Sequence, residues 1–149
     1  MAHEHEHVLG PRHFHGVVPV LLVDDVAATA EYYRDVLGFE VEFLWGDDDP
    51  IYGRVIRDEA VLDFVRSEPP GRRNSVAAAG ASTGADALIV VSDVEEVYIE
   101  IQEKGATVLE RLAPREYGML DCMIEDLNGY RLTIGGGLDD DDDDDEEDA

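Results

Sequence analysis

A segment that occurs twice limits what this chain can fold into. Residues 17–41 read VVPVLLVDDVAATAEYYRDVLGFEV: an apolar run, an acidic pair, a stretch with helical spacing, a glycine and a β-rich run. The same order returns at residues 85–109 as ADALIVVSDVEEVYIEIQEKGATVL, with Val23-Asp24-Asp25-Val26 answered by Val91-Ser92-Asp93-Val94. Gly38 stands thirteen residues after Asp25, and Gly105 twelve after Asp93. The apolar positions Val26, Ala30, Tyr33, Val36 and Leu37 recur at the three-to-four spacing of an amphipathic helix. An aspartate before that helix can cap it, and the glycine after it can end it in the left-handed conformation.

Each copy is followed by two further strand-like runs. Phe39–Trp45, Tyr52–Arg57 and Val61–Arg66 complete the first, with a hairpin at Asp58–Ala60. Thr107–Leu112, Met119–Glu125 and Tyr130–Ile134 complete the second, with Asn128-Gly129 as a hairpin signal. The expected fold is therefore α+β, two βαβββ modules whose mixed sheets curl around a cleft. The expected divisions are a disordered His/Glu-rich segment at 1–15, a first module at 16–67, a linker at 68–85, a second module at 86–135 and a disordered acidic tail at 136–149. Gly135–Gly137 reads as the release from the last strand into that tail.

Charge narrows the functional classes. The chain carries 36 acids against 11 bases, a net of −25, and the ten acids of residues 139–148 leave −15 on the remainder. Such a surface repels phosphate backbones, so nucleic acid is not an expected partner. Acids spread along the whole chain fit a high-salt cytoplasm, where salt screens their mutual repulsion, so the fold should gain stability from salt. No apolar run is long enough to span a bilayer, which points to a soluble cytoplasmic protein. The single cysteine, Cys122, excludes an intrachain disulfide and reads as a small buried hydrophobe. The His-Glu-His-Glu-His run of residues 3–7 can chelate a transition metal adventitiously but has no element to fix its geometry. No Gly-x-Ser-x-Gly elbow, phosphate loop or histidine beyond residue 15 supports hydrolase or phosphoryl-transfer chemistry.

The residues VxDVxxxxxYYRDVLGFEV at 23–41, AVLDF at 60–64, VSDV at 91–94 and EYGMLDCMIEDLNGYRL at 116–132 resemble the vicinal oxygen chelate superfamily, in particular its bleomycin-resistance and glyoxalase-like proteins. The resemblance implies four metal-ligand positions in the enzymes of the family, and here they fall on Val18, Asp63, Asp86 and Thr133. Two of these four offer no standard ligand, so no resident metal or cofactor is expected. What the resemblance then implies is a metal-independent binder of small molecules, working as a homodimer. The alternative is a lyase, isomerase or dioxygenase with an altered metal site built on Asp63 and Asp86. A third reading is an interaction module whose acidic tail engages a basic partner. The resemblance implies that Asp63 faces the cleft, and strand parity then expects Asp86, Thr133 and Arg131 to face it too, where two carboxylates among apolar side chains would attract an ammonium or guanidinium group. Trp45, Tyr52 and Tyr117 supply flat surface for an aromatic ligand. Asp63 has a competing structural role, as the partner of Arg131 or Arg66 in an ion pair. No catalytic residue is assigned.

Overall fold

The computed structural model describes residues 12–138. The expectations of an N-terminal histidine chelate and of disordered residues 1–11 and 139–149 lie outside the described residues.

The first module runs β1 (Val20–Val23), α1 (Val26–Asp35), β2 (Glu40–Trp45), β3 (Tyr52–Arg57) and β4 (Ala60–Arg66). The second runs β5 (Ala87–Val90), α2 (Val94–Glu103), β6 (Thr107–Pro114), β7 (Met119–Glu125) and β8 (Arg131–Gly137). Each forms a four-stranded sheet of one order, β1-β4-β3-β2 and β5-β8-β7-β6. In each, the first strand lies parallel to the last, and the other pairs are antiparallel. A parallel partner requires a crossover, and the helix provides it.

Local chemistry explains the helix ends. Asp25 caps α1, its side chain accepting from the Ala28 N–H at 2.9 Å, while Asp24 turns away to Gly71 and Arg73. At the matching place before α2, Asp93 is left-handed (φ 52°) and its side chain makes no capping bond. Glu95 and Glu96 in the first turn of α2 complement the helix dipole instead.

The strands alternate as their parity requires. Leu62 and Phe64 of β4, Val55 of β3, Cys122 and Ile124 of β7, and Leu132 and Ile134 of β8 face inward with Tyr33 and Ile101 from the helices. They form one cluster that runs through both modules. The helix-bearing sides of the two sheets thus share a core, and the opposite sides, called outer faces below, are left without one. Burial pushes the Cys122 thiol up to about 11, so it packs as a hydrophobe. No helix among the described residues is long and apolar enough to cross a membrane.

The last strand corrects an expectation. Gly135–Gly137 does not release the chain; β8 continues through Gly137, which pairs with Met119. Gly135 lies opposite Asp121, and a Cβ there would collide with the Asp121 Cβ and come within 2.7 Å of the Leu120 carbonyl oxygen. Glycine in this strand marks a close approach rather than a break. The linker is also ordered in part. The Asn74 side chain accepts from Leu22 N–H at 3.0 Å and donates to Val20 C=O at 2.9 Å, occupying the side of β1 that no strand covers.

Candidate functional site

The outer face of the first sheet is built on β2, β3 and β4. Arg54 pairs with Asp63 and Tyr52 with Val65 in the β3–β4 register, and Phe43 and Trp45 stand beside Arg54 and Tyr52 across β2–β3. Asp63 is 2% exposed. Its carboxylate accepts from Arg54 Nε at 2.7 Å, Arg54 Nη2 at 3.0 Å and the Tyr52 hydroxyl at 2.5 Å. Burial opposes ionisation, but the Arg54 and Tyr52 hydrogen bonds outweigh it and hold this carboxyl below its ordinary value. The hydrogen bond to Asp63 in turn raises the Tyr52 phenol. Asp63 does have an ion-pair partner, but it is Arg54 rather than Arg131 or Arg66; Arg66 reaches Asp49 and Glu68 instead.

Above this network lies a flat apolar surface. The rings of Phe43 and Tyr52 are nearly parallel, with centroids 6.2 Å apart and an interplanar angle of 8°. The Arg54 guanidinium sits 5.3 Å from the centre of the Phe43 ring. Trp45, 64% exposed, closes one side of a depression of about 450 Å³ that Phe43, Ile51, Tyr52 and Val65 also line.

The outer face of the second sheet repeats this chemistry at a different place. Asp121, also almost fully buried, accepts from Arg115 Nε at 2.7 Å and from the Tyr117 hydroxyl at 2.6 Å. That hydrogen bond raises the Tyr117 phenol. The carboxylate stands on β7 here and on β4 in the first module, so the two Arg–Asp–Tyr sets are not inherited from one duplicated motif. Arg131 and Thr133 occupy the same face of β8, beside the exposed Leu88 and Val90 of β5.

Asp86 has a different task. Its oxygens accept from Val76 N–H at 2.7 Å and from Arg131 N–H at 2.8 Å, which ties the linker to the start of β8. Among the described residues no hydrogen bond or ion pair joins it to Asp63. The structure therefore brings Trp45, Tyr52 and Asp63 together on one sheet, and Tyr117, Arg131 and Thr133 on the other, with Asp86 held at the second sheet's edge. Phe43, Arg54, Arg115 and Asp121 belong to these faces too. The hairpin turn is Asp58-Glu59, one residue shorter than the expected Asp58–Ala60, because Ala60 pairs with Arg57; that shift places Arg54 opposite Asp63 rather than residue 64. Asp121 was readable from its alternation with Cys122 and Ile124.

The family model for the Glyoxalase/Bleomycin resistance protein/Dioxygenase superfamily matches residues 11–134. The chain belongs to this superfamily. Solved structures agree on the fold. TioX from Micromonospora sp. ML1 superposes with a TM-score of 0.66 at 20% identity, covering 82% of this chain and 98% of its own. A glyoxalase-related enzyme from Clostridium phytofermentans gives 0.65 at 16%, covering 82% and 94%. The bleomycin-binding protein of Streptomyces verticillus, complexed with copper(II)-bleomycin, gives 0.63 at 25%, covering 84% and 98%. No functionally curated protein matches the sequence.

The four positions at which metal enzymes of the family carry ligands do not fit an ion here. Val18 and Thr133 offer no carboxylate or imidazole, Asp63 is engaged by Arg54 and Tyr52, and Asp86 by two backbone N–H groups. Among the described residues no group of three or more His, Cys, Asp or Glu side chains is placed to hold a metal.

Proposed function

We propose that this protein binds a small, flat aromatic molecule without a metal, on the aromatic outer face of the first sheet, as a homodimer. The observation that carries the reading is the closed Arg54–Asp63–Tyr52 network. It removes Asp63, one of the two family-position carboxylates, from service as a ligand and uses it to lock Tyr52, and with it the stacked Phe43, in a fixed attitude. Preorganised rings beside an exposed Trp45 offer stacking area at low entropic cost. A cationic ligand remains favoured, but for a different reason than free carboxylates. Attraction comes from the net charge of −25 and from cation–π contact with Trp45. The superposed bleomycin-binding protein, bound to copper(II)-bleomycin, supports this class.

Dimerisation follows from what the core leaves uncovered. Trp45, Leu88, Val90 and Tyr117 are all more than half exposed on outer faces that a single chain does not enclose. A second copy laid against these faces would cover them and turn an open surface into a cleft. Thr133, Arg131 and Tyr117 would then border the ligand from the opposing sheet.

Trp45 is the only tryptophan, so its fluorescence reports directly on the site. Titration with bleomycin and with a panel of neutral and cationic planar aromatics should quench it saturably, and Trp45→Ala should abolish binding without lowering the melting temperature. Absence of saturable quenching, or retention of affinity by Trp45→Ala measured calorimetrically, refutes the site. A monomer by light scattering refutes the dimer alone.

A further inference from the structure

The relation between the modules also relates two seams on the core side of the molecule. In each, the end of a module's first strand and the start of its helix face the last hairpin turn of the other module. The equivalence can be followed residue by residue. Val20 corresponds to Leu88 by the duplicated segment, and these pair with Asp63 and Thr133, so Ala60 corresponds to Tyr130. On the helices, Thr29 corresponds to Val97 and Tyr33 to Ile101.

The first seam is filled. Tyr130 is fully buried, and its hydroxyl donates to Leu22 C=O at 2.6 Å. Tyr33 donates to Asp126 at 2.6 Å, and Asn128 Nδ2 to Thr29 Oγ1 at 3.0 Å. The linker then inserts a cation: Arg73 Nε donates to the Asn128 carbonyl at 3.1 Å, and its Nη atoms to Asp24 at 3.2 and 3.4 Å. A guanidinium thus sits between the acidic approach to the helix and a carbonyl of the facing turn.

The second seam has the same walls, and the Arg57–Glu100 ion pair is the side-chain bridge that spans it among the described residues. Ala60 stands where Tyr130 would, Ile101 and Val97 replace the two hydroxyl groups, and the turn is cut to Asp58-Glu59. A cavity of about 510 Å³ results, floored by Leu37, Phe39, Ile101 and Ile134. At its mouth stand Asp58, Glu59, Asp93 and Glu96. Among the described residues none of these four side chains takes part in a hydrogen bond or ion pair. Arg57, the one cation of the wall, is already engaged by Glu100 at 2.9 and 3.0 Å and by the Leu37 carbonyl at 2.8 Å. The Cβ-free Gly38 lets it lie there, since a Cβ would come within 2.7 Å of its Nη1.

The geometry points to a second binding site in this seam, for an organic cation with a guanidinium or ammonium head and an apolar body. The head lies near the place that Arg73 takes in the first seam; Ser92 stands where Asp24 would, and Asp58, Glu59, Asp93 and Glu96 supply the charge-assisted hydrogen bonds. The body packs on the partly exposed apolar lining, Ala60, Ile89, Val90 and Val97. The volume falls in the range of small-molecule sites and exceeds what a bare guanidinium fills. This site lies away from the aromatic face of the first sheet and shares only Val90 with the exposed outer-face residues of the second.

Methyl and amide NMR of the full chain, titrated at low salt with phenethylguanidinium, tests it, with neutral phenethylurea as the control. Saturable shifts are expected at Ile89, Val97 and Ile101, with none for the urea. Ala60→Tyr, which fills the cavity, and the exposed pair Asp93→Asn/Glu96→Gln should each weaken binding by about tenfold or more, the factor for losing about one charge-assisted contact. The second variant serves if the first does not fold. Capped arginine run in parallel separates the sources: its binding in preference to phenethylguanidinium assigns the head to a peptide side chain, and the reverse to a small molecule. Failure of both to bind, shifts confined to the Trp45 face, equal binding of the urea, or unchanged affinity in the variants overturns the proposal.

Discussion

In the first seam two tyrosines, a buried aspartate and a linker arginine knit the modules together; in the second an alanine, an isoleucine and a clipped turn leave an opening between the same backbone elements. Duplication has preserved strand order and the approximate packing of each helix, yet the contents of the two seams differ in kind. The backbone plan decides where the seams run. The side chains at a few matching positions, 60 and 130, 33 and 101, 29 and 97, decide whether a seam is a wall or a cavity.

The largest test of that contrast is Tyr130→Ala. Truncating a fully buried aromatic that also bonds across the seam should cost about 4 kcal/mol. Ala60→Gly, at the matching place, should cost less than about 1 kcal/mol. Urea denaturation midpoints of the two variants check this, and equal losses would erase the distinction between the seams.

A middle-sized effect separates the outer faces from the seams. Asp63→Asn leaves Arg54 with only the more distant Glu42 at 3.7 Å as a charge partner and should cost about 2 kcal/mol, less than for a fully enclosed pair because Arg54 remains one-third exposed. Asp121→Asn should cost less, since Arg115 keeps the carbonyls of Arg111 and residue 121. The same denaturation series ranks them, and the reverse order would show that the second network carries more of the fold.

The smallest effect distinguishes two buried carboxyls by sign. Burial raises Asp126 above its ordinary value despite the hydrogen bonds from Tyr33, Tyr130 and Asn128. Its contribution is therefore fullest below about pH 4, the ordinary aspartate value, and is lost as pH rises through its folded value. Asp63 lies below its ordinary value, so its contribution is present above about pH 4 and is lost as pH falls. Stability measured against pH should show Asp126→Asn gaining on the parent as pH rises from about 4, and Asp63→Asn gaining on it as pH falls below about 4. A common direction in both variants would contradict the assigned environments.

The fold was legible because helical and strand periodicities alternate twice in one order, a pattern that few topologies satisfy. Parity also separated Asp63 from Leu62 and Phe64, while the side that Asp63 faces came from the resemblance rather than from parity. What parity cannot give is the partner. Arg54 meets Asp63 only because the turn is one residue shorter than expected, and Asp86 bonds to Val76 and Arg131 through backbone N–H groups, which nothing in an aspartate's sequence neighbours announces. Gly135 was misread because a glycine before an acid run looks like an exit, whereas its meaning depends on Asp121 lying flat across the neighbouring strand. The sequence implied a cleft but left open whether one chain or two would enclose it; the core gathers the helix-bearing sides, which leaves the aromatic faces bare.

The amide of Asn74 has a consequence for assembly. A sheet can recruit further chains only where its border is regular and unoccupied. Asn74 fills the border at β1, register shifts interrupt β2 and β6, and only the short apolar β5 offers an even, uncovered row. A molecule with one such border can join a twin, border to border, and the joint then has no second end from which to grow. One side chain in the linker, by imitating a strand, closes the border at β1 to further strands.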